Sequence, residues 1–282
     1  MQYNDVVIVT RNAINRSKYY RNNTEQIIEY RVMKKKVGII GVSGRLGAAI
    51  FEILEKHQDY LLGLCFSRSE SDSLTLENLL TQNDYIIDCS HYSLTAQVIA
   101  EALQTPKPLI ICTTGFEMIK IKSHLDILSK KTQVVIAPNT SFGAYMQRFL
   151  ATQLAKALDS TYDIDILEKH HRNKLDCPSG TADSIISDVI STKKREHNLQ
   201  YGIYRADDGK RGENLIGVAA QRSGNIFGEH EITFTSADES ISIKHTAFSK
   251  ALFAKGAIKI LDWLSKSELL PGIYGIEDII IA

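Results

Sequence analysis

The chain is poor in the features that assign a protein to a class at once. Its 282 residues include only four cysteines and five prolines. Cys65, Cys89, Cys112 and Cys177 lie far apart with no Cys-x-x-Cys pair. That scatter excludes a disulfide framework and fits reduced thiols in the cytoplasm. Charge of one sign is also missing, since 33 Lys and Arg balance 33 Asp and Glu. A nucleic-acid partner needs a basic surplus, so none is expected. No apolar run approaches the roughly 20 residues that cross a bilayer, which removes the membrane as a partner. What is present is a hydrophobic fraction of 44% and a charged fraction of 23%. A chain of this length and composition can build two modest domains with cores of their own.

Residues 1–32 differ from the rest. Val6 to Val9 is a short apolar patch, whereas Arg11 to Arg31 is polar, rich in Arg and Asn, and weakly periodic. The segment lacks the apolar core and cleavage site of a secretory signal, although its basic excess is compatible with an organelle transit peptide. Met33-Lys34-Lys35-Lys36-Val37 reads as a natural start just before the first strand. Residues 1–32 are therefore expected to form an extension outside the fold.

From Lys36 apolar strands alternate with amphipathic helices. Strands are expected at Val37 to Ile40, Tyr60 to Phe66, Asp84 to Cys89, Leu109 to Cys112 and Val134 to Ala137. Helices are expected at Leu46 to Lys56, Leu74 to Leu80, Thr95 to Leu103 and Ile119 to Lys130. Repeated strand–helix units imply a doubly wound, Rossmann-like parallel sheet. The pattern then changes: a long helix at Phe142 to Leu158, a strand at Tyr162 to Leu167, and a helix at Ala182 to Ile190. Three consecutive strands follow, at Ile216 to Gln221, Ile226 to Thr235 and Ser240 to Ala247. Such a run indicates an α+β domain with an open, mostly antiparallel sheet. Phe253 to Leu264 returns to helix and is expected to pack back on the first domain. The division predicted is 33–141 with 248–282 for one domain and 142–247 for the other.

Two segments carry chemistry. Gly41-Val42-Ser43-Gly44-Arg45-Leu46-Gly47 lies between the first strand and the first helix. Small residues there let the backbone approach a pyrophosphate, whose charge faces the N–H groups at the helix start. A bare structural turn is the alternative. The ribose-binding acid of that arrangement falls roughly 20 residues on, at the end of the second strand. That position reads Ser67-Arg68 instead. A cation and a hydroxyl favour a 2′-phosphate, so NADPH is the expected cofactor ahead of NADH; a merely solvated arginine is the competing reading.

The second segment is Glu168-Lys169-His170-His171-Arg172-Asn173-Lys174-Leu175-Asp176-Cys177-Pro178-Ser179-Gly180-Thr181-Ala182. His170 and His171 are adjacent and in extended chain point to opposite sides, so they should not share a task. One can donate a proton while the other binds a ligand oxygen, and Lys174 suits a carboxylate or a proton transfer. Ser179 or Thr181 can cap the following helix, leaving the amides of Gly180 and Thr181 for a carboxylate. A zinc site from His170, His171 and Cys177 is disfavoured, because adjacent histidines rarely chelate one ion. Covalent catalysis by Ser179 lacks a marked base.

This second segment resembles the motif Glu-x-His-His-Arg-x-Lys-x-Asp-x-Pro-Ser-Gly-Thr-Ala of the 4-hydroxy-tetrahydrodipicolinate reductase family, also called dihydrodipicolinate reductase. The glycine loop, Thr113-Thr114-Gly115-Phe116 and Ala137-Pro138-Asn139-Thr140-Ser141 resemble its other motifs in the same order. The resemblance runs from about Lys36 to the C-terminus. It implies NAD(P)H-dependent reduction of a small cyclic dicarboxylate in the diaminopimelate route of lysine biosynthesis. It further implies His170 as acid/base, Lys174 as proton donor, and His171, Gly180 and Thr181 as substrate contacts. Nucleotide contacts implied are Gly41, Val42, Ser43, Gly44, Arg45, Leu46, Arg68, Cys112, Thr113, Thr114, Ala137, Pro138, Asn139 and Thr140. Cys112 stands where the family commonly has Gly, and Ser67 where some members have an acid. Asn139 to Gly143 is the implied hinge, and a homotetramer joined through the second domain's sheet is the implied assembly. Two other readings remain open: another two-domain NAD(P)-dependent dehydrogenase, acting on aspartate or a semialdehyde, and a nucleotide-sensing regulator without turnover.

Overall fold

The computed structural model describes residues 17–21, 27–31, 34–67, 75–193, 200–202, 210–212 and 215–281. In chain order the elements begin with β1 (Ser17–Arg21), β2 (Ile27–Arg31), β3 (Lys35–Ile40), α1 (Arg45–Glu55) and β4 (Tyr60–Phe66). They continue with α2 (Leu76–Gln82), β5 (Tyr85–Asp88), α3 (Tyr92–Ala102), β6 (Leu109–Ile111), α4 (Met118–Leu128) and β7 (Gln133–Ile136). The second part holds α5 (Phe142–Ala157), β8 (Asp163–His170), α6 (Gly180–Lys193), β9 (Gln200–Gly202), β10 (Leu215–Arg222), β11 (Gly228–Thr235) and β12 (Ser240–Ala247). Last come α7 (Ala251–Lys266), β13 (Gly272–Tyr274) and α8 (Ile276–Ile281).

The first sheet has the order β13-β7-β6-β5-β3-β4, with every pairing parallel. Its strands read as apolar runs because helices cover both faces. Alternation within each strand sorts the side chains. Val37, Ile39, Ile87, Ile110 and Val135 meet α1 and α7 through Ile50, Leu54, Ala257 and Leu261. Ile40, Ile86, Leu109, Ile111 and Val134 meet α2, α3 and α4 through Leu79, Val98, Ile99 and Leu125. This is the doubly wound sheet expected, and α7 does return to it. The strand β13, at the edge beside β7, had no signal beyond Ile273 and Tyr274 between Gly272 and Gly275.

The second sheet has the order β12-β11-β8-β10-β9. Its antiparallel ladders pair β11 with β12 over eight residues and with β8 over seven. β10 and β9 extend it in parallel, which the succession of strands did not announce. One face is buried against α5 and α6, where Ala151, Ala155, Ile185 and Val189 meet Ile164, Ile166, Ile216 and Phe234. The opposite face carries Asp165, Leu167, Ala219, Glu231 and Thr233 around a shallow hollow of about 340 Å³.

Before both sheets, β1 and β2 pair antiparallel in a sheet of their own, Ser17 opposite Arg31. The polar reading of that stretch did not foresee a hairpin; its Tyr and Ile content favours strand. The Val6–Val9 patch lies outside the described residues. Two crossings join the larger sheets, one of them at Asn139 to Ser141. There α7 comes so close that a Cβ on Gly256 would lie 1.9 Å from the Thr140 carbonyl oxygen.

Candidate active site

The strand order reverses between β3 and β5, since β4 lies to one side of β3 and β5, β6 and β7 to the other. In such sheets ligands bind beyond the carboxyl ends of the strands at that switch point. The glycine loop lies there. Gly41 adopts φ 85, which a side chain disfavours. Its N–H donates to the Phe66 carbonyl at 2.8 Å, and the Gly44 N–H donates to the Gly41 carbonyl at 2.9 Å. A Cβ on Gly47 would lie 2.2 Å from that same Gly41 oxygen, so only glycine lets α1 start this close to the loop. Gly44 caps α1 without a side-chain bond, which leaves the first-turn amides free for an anion. The backbone thus fits a dinucleotide pyrophosphate.

The neighbouring expected contacts gather at the same edge. Cys112 and Thr113 are buried and bond the Asp88 carbonyl, through N–H at 2.8 Å and hydroxyl at 3.3 Å respectively. Thr114 and Pro138 are exposed, and Ala137 is buried with its N–H on the Ile111 carbonyl at 2.9 Å. Val42, Ser43, Gly44, Arg45 and Leu46 line the turn itself, and the Ser43 and Ser67 hydroxyls bond each other at 2.8 Å. Arg68 lies outside the described residues.

From the second sheet, β8 alternates in burial, so Ile164, Ile166, Glu168 and His170 share the inward face. Register supplies their neighbours: β10 sets Arg222 beside His170, and β11 sets His230 beside Glu168. Glu168, with none of its surface exposed, accepts from Arg222 Nη2 at 2.7 Å through Oε1 and from His170 Nδ1 through Oε2. The His170 and His230 rings meet edge to face at 5.0 Å. His230 Nε2 bonds the Ser179 hydroxyl at 2.8 Å, and that hydroxyl accepts from the Ala182 N–H at 3.3 Å. Ser179 is thus the cap of α6, which begins at Gly180 rather than Ala182.

Electrostatics follow from this burial. Desolvation lowers the pKa of His170, and Lys174 and Arg222 push the same way, while Glu168 opposes them. His230, more deeply enclosed, is driven down to about 4. His230 is therefore neutral near pH 7 in this arrangement. His171 is half-exposed, as its opposite orientation requires, and its carbonyl accepts the Lys174 N–H at 3.1 Å. Lys174 pairs with Asp176 at 2.7 Å. Gly180 is exposed and Thr181 half-buried at the start of α6. Asn139 Nδ2, from the loop after β7, donates to Thr181 Oγ1 at 3.5 Å. This bond ties the loop after β7 in one sheet to the start of α6 beside the other.

Glu168, Arg222 and His230 received no role in the sequence reading. Glu168 was legible, because a residue two before His170 in a strand shares its face. Arg222 and His230 reach the site only through strand register, for which a single sequence offers no sign. Among the described residues, Glu168, His170 and His230 also form the one metal-sized group, with ligand atoms within 4.8 Å. Both Glu168 oxygens, His170 Nδ1 and His230 Nε2 are already engaged by Arg222, Ser179 and one another, and Arg222 opposes a second cation. The zinc set of His170, His171 and Cys177 does not assemble.

Comparison with known sequences decides the family. The profile described as "Dihydrodipicolinate reductase, N-terminus" matches residues 35–140, and the one described as "Dihydrodipicolinate reductase, C-terminus" matches residues 143–280. The chain belongs to the dihydrodipicolinate reductase family. A 4-hydroxy-tetrahydrodipicolinate reductase of Chlamydia felis is 40% identical over 245 residues, covering 86% of this chain and 97% of that one. The enzyme of the same name from Campylobacter jejuni is 37% identical over 248 residues, covering 86% and 98%. A dipicolinate-bound dihydrodipicolinate reductase from a Paenisporosarcina species shares the fold, with a TM-score of 0.71 at 21% identity over 88% of this chain and 100% of that one. The resemblance read from the motif at 168–182 is thus membership. Among the described residues no helix is long and apolar enough to cross a membrane.

Proposed function

We propose that the cleft between the two sheets binds a reduced nicotinamide dinucleotide and 4-hydroxy-tetrahydrodipicolinate, and that His170 and Lys174 carry the proton transfers of its reduction. The reaction is the NAD(P)H-dependent step of the diaminopimelate route to lysine, as the family and its 4-hydroxy-tetrahydrodipicolinate reductase members indicate. Its products are tetrahydrodipicolinate, water and oxidised cofactor. The cofactor supplies the hydride when bound. This chain's residues do the rest. The α6 start, with the Gly180 and Thr181 amides, and His171 hold carboxylate oxygens. Lys174 exchanges Asp176 for a substrate carboxylate or delivers a proton, and His170 serves as the acid group.

Residues 33–141 with 248–282 serve as the nucleotide lobe and residues 142–247 as the substrate lobe, with Asn139 to Gly143 as the hinge between them. Ser67 and Arg68 favour NADPH over NADH. The half-exposed face of the second sheet joins four copies, and the enzyme works in the cytoplasm. The observation that carries the reading is the contact from Asn139 to Thr181, which brings the nucleotide edge to the amide-lined helix start.

Oxidation of NADPH and NADH with freshly prepared substrate tests it. Wild type should turn over with the higher specificity constant for NADPH, and His170→Gln and Lys174→Ala should each lose about a hundredfold or more in kcat. An inactive wild type that still binds NADPH would point to a nucleotide sensor instead.

A further inference from the structure

Reading His170 as the acid group leaves its closest polar neighbours without a task. Glu168 is fully enclosed, and a carboxylate withdrawn from water is unfavourable unless it is paired and hydrogen-bonded. Here Oε1 holds Arg222 at 2.7 Å while Oε2 holds His170 Nδ1. Arg222 is fixed in turn, since its Nη2 donates to the Asp176 carbonyl at 2.6 Å and its Nη1 to the Gln221 carbonyl at 3.0 Å. The arrangement joins two strands, β8 and β10, and ties the segment after β8 back to the sheet.

On the reading of His170 as proton donor, we propose that Glu168, anchored by Arg222, is the positioning residue of the site: it holds His170 by Nδ1–H and leaves Nε2 to meet the substrate. A carboxylate accepts only, so in the neutral ring the proton sits on Nδ1. Gly228 keeps space beside the other nitrogen, because a Cβ there would lie 3.2 Å from His170 Nε2. Carboxylate–imidazole pairs orient catalytic and metal-bound histidines elsewhere by the same means.

The charged and titratable groups facing His170 are Glu168 on β8, Arg222 on β10, His230 on β11 and Lys174 in the loop after β8. Of these only Glu168 favours the imidazolium. A proton donor must be protonated, so activity declines as pH rises through its pKa. Without the carboxylate charge that decline moves to lower pH.

The test compares pH profiles of kcat/KM for wild type, Glu168→Gln, Glu168→Asp and His170→Gln with NADPH and fresh substrate. Glu168→Gln should lose roughly ten- to hundredfold in kcat. Its alkaline limb should move down by about one pH unit or more, while NADPH affinity stays as in wild type. Glu168→Asp keeps the charge but withdraws it, so kcat should fall with less movement of the limb. A Glu168→Gln enzyme with wild-type kcat and limb, beside an inactive His170→Gln, would overturn this inference alone. Full activity in His170→Gln would overturn the reading it rests on. Should the Gln variant fail to fold, nitrogen NMR of imidazole-labelled wild type still decides. Neutral His170 as the Nδ1–H tautomer is expected, and the Nε2–H tautomer would refute the proposal.

Discussion

His230 shows how one buried side chain makes stability depend on pH. It is 5% exposed, its Nε2 is bonded to Ser179, and among the described residues its Nδ1 has no partner. Its pKa is driven down to about 4, first by burial and then by His170, whereas an unfolded chain returns it to about 6.5. Between those values the unfolded state holds the extra proton. Stability is therefore complete above pH 6.5 and declines as pH falls toward 4. The slope is at most about 1.4 kcal/mol per pH unit for one histidine. His170 and His245, whose pKa values burial also lowers, act in the same direction. Urea unfolding should show a lower midpoint at pH 5 than at pH 7, and His230→Gln should flatten that difference. Identical midpoints in wild type at the two pH values would refute the argument.

At the scale of elements, the junction of β3 and α1 is the part most directly written in the sequence. Gly41, Gly44 and Gly47 recur at spacing three, and each has a distinct duty: a positive φ, an open cap and a close approach. Gly47→Ala would set a Cβ against the backbone of Gly41 and Val42 at 2.2 and 2.9 Å. Backbone atoms cannot swing aside, so α1 must shift and carry its first-turn amides with it. NADPH affinity measured by fluorescence titration should fall about tenfold or more, a loss of roughly 1.4 kcal/mol. Unchanged affinity would mean that these amides do not hold the pyrophosphate. The α6 boundary was less legible. Ser179 and Thr181 were equally good caps by residue type, and only the bond from Ser179 Oγ to the Ala182 N–H chose between them.

At the scale of the whole molecule, the second sheet has a covered face and an open one. Its strands alternate, so β8 turns Ile164 and Ile166 toward α5 and α6 and leaves Asp165 and Leu167 outside. A sheet face over which no helix lies among the described residues is suited to a second copy of the chain. Analytical ultracentrifugation should give the mass of four chains, and Ala219→Asp on the exposed part of β10 should lower it. A monomer at micromolar concentration would remove the tetramer from the account. The proposed hinge, Asn139 to Gly143, includes the residue of the Asn139–Thr181 contact, so on that proposal closure and engagement of the α6 amides would be one movement.

The sequence by itself determined the order of strands and helices, the two fold classes, the glycine turn and the histidine–lysine segment. These rest on local rules, namely periodicity, backbone freedom and side-chain chemistry within a few residues. Tertiary structure alone decided which distant residues complete the site. Arg222 lies 54 residues from Glu168 and His230 lies 51 from Ser179, and strand register, not proximity in the chain, sets Arg222 beside His170 and His230 beside Glu168. A cross-strand pairing depends on the packing of whole faces, so no short pattern around residue 222 or 230 could announce it.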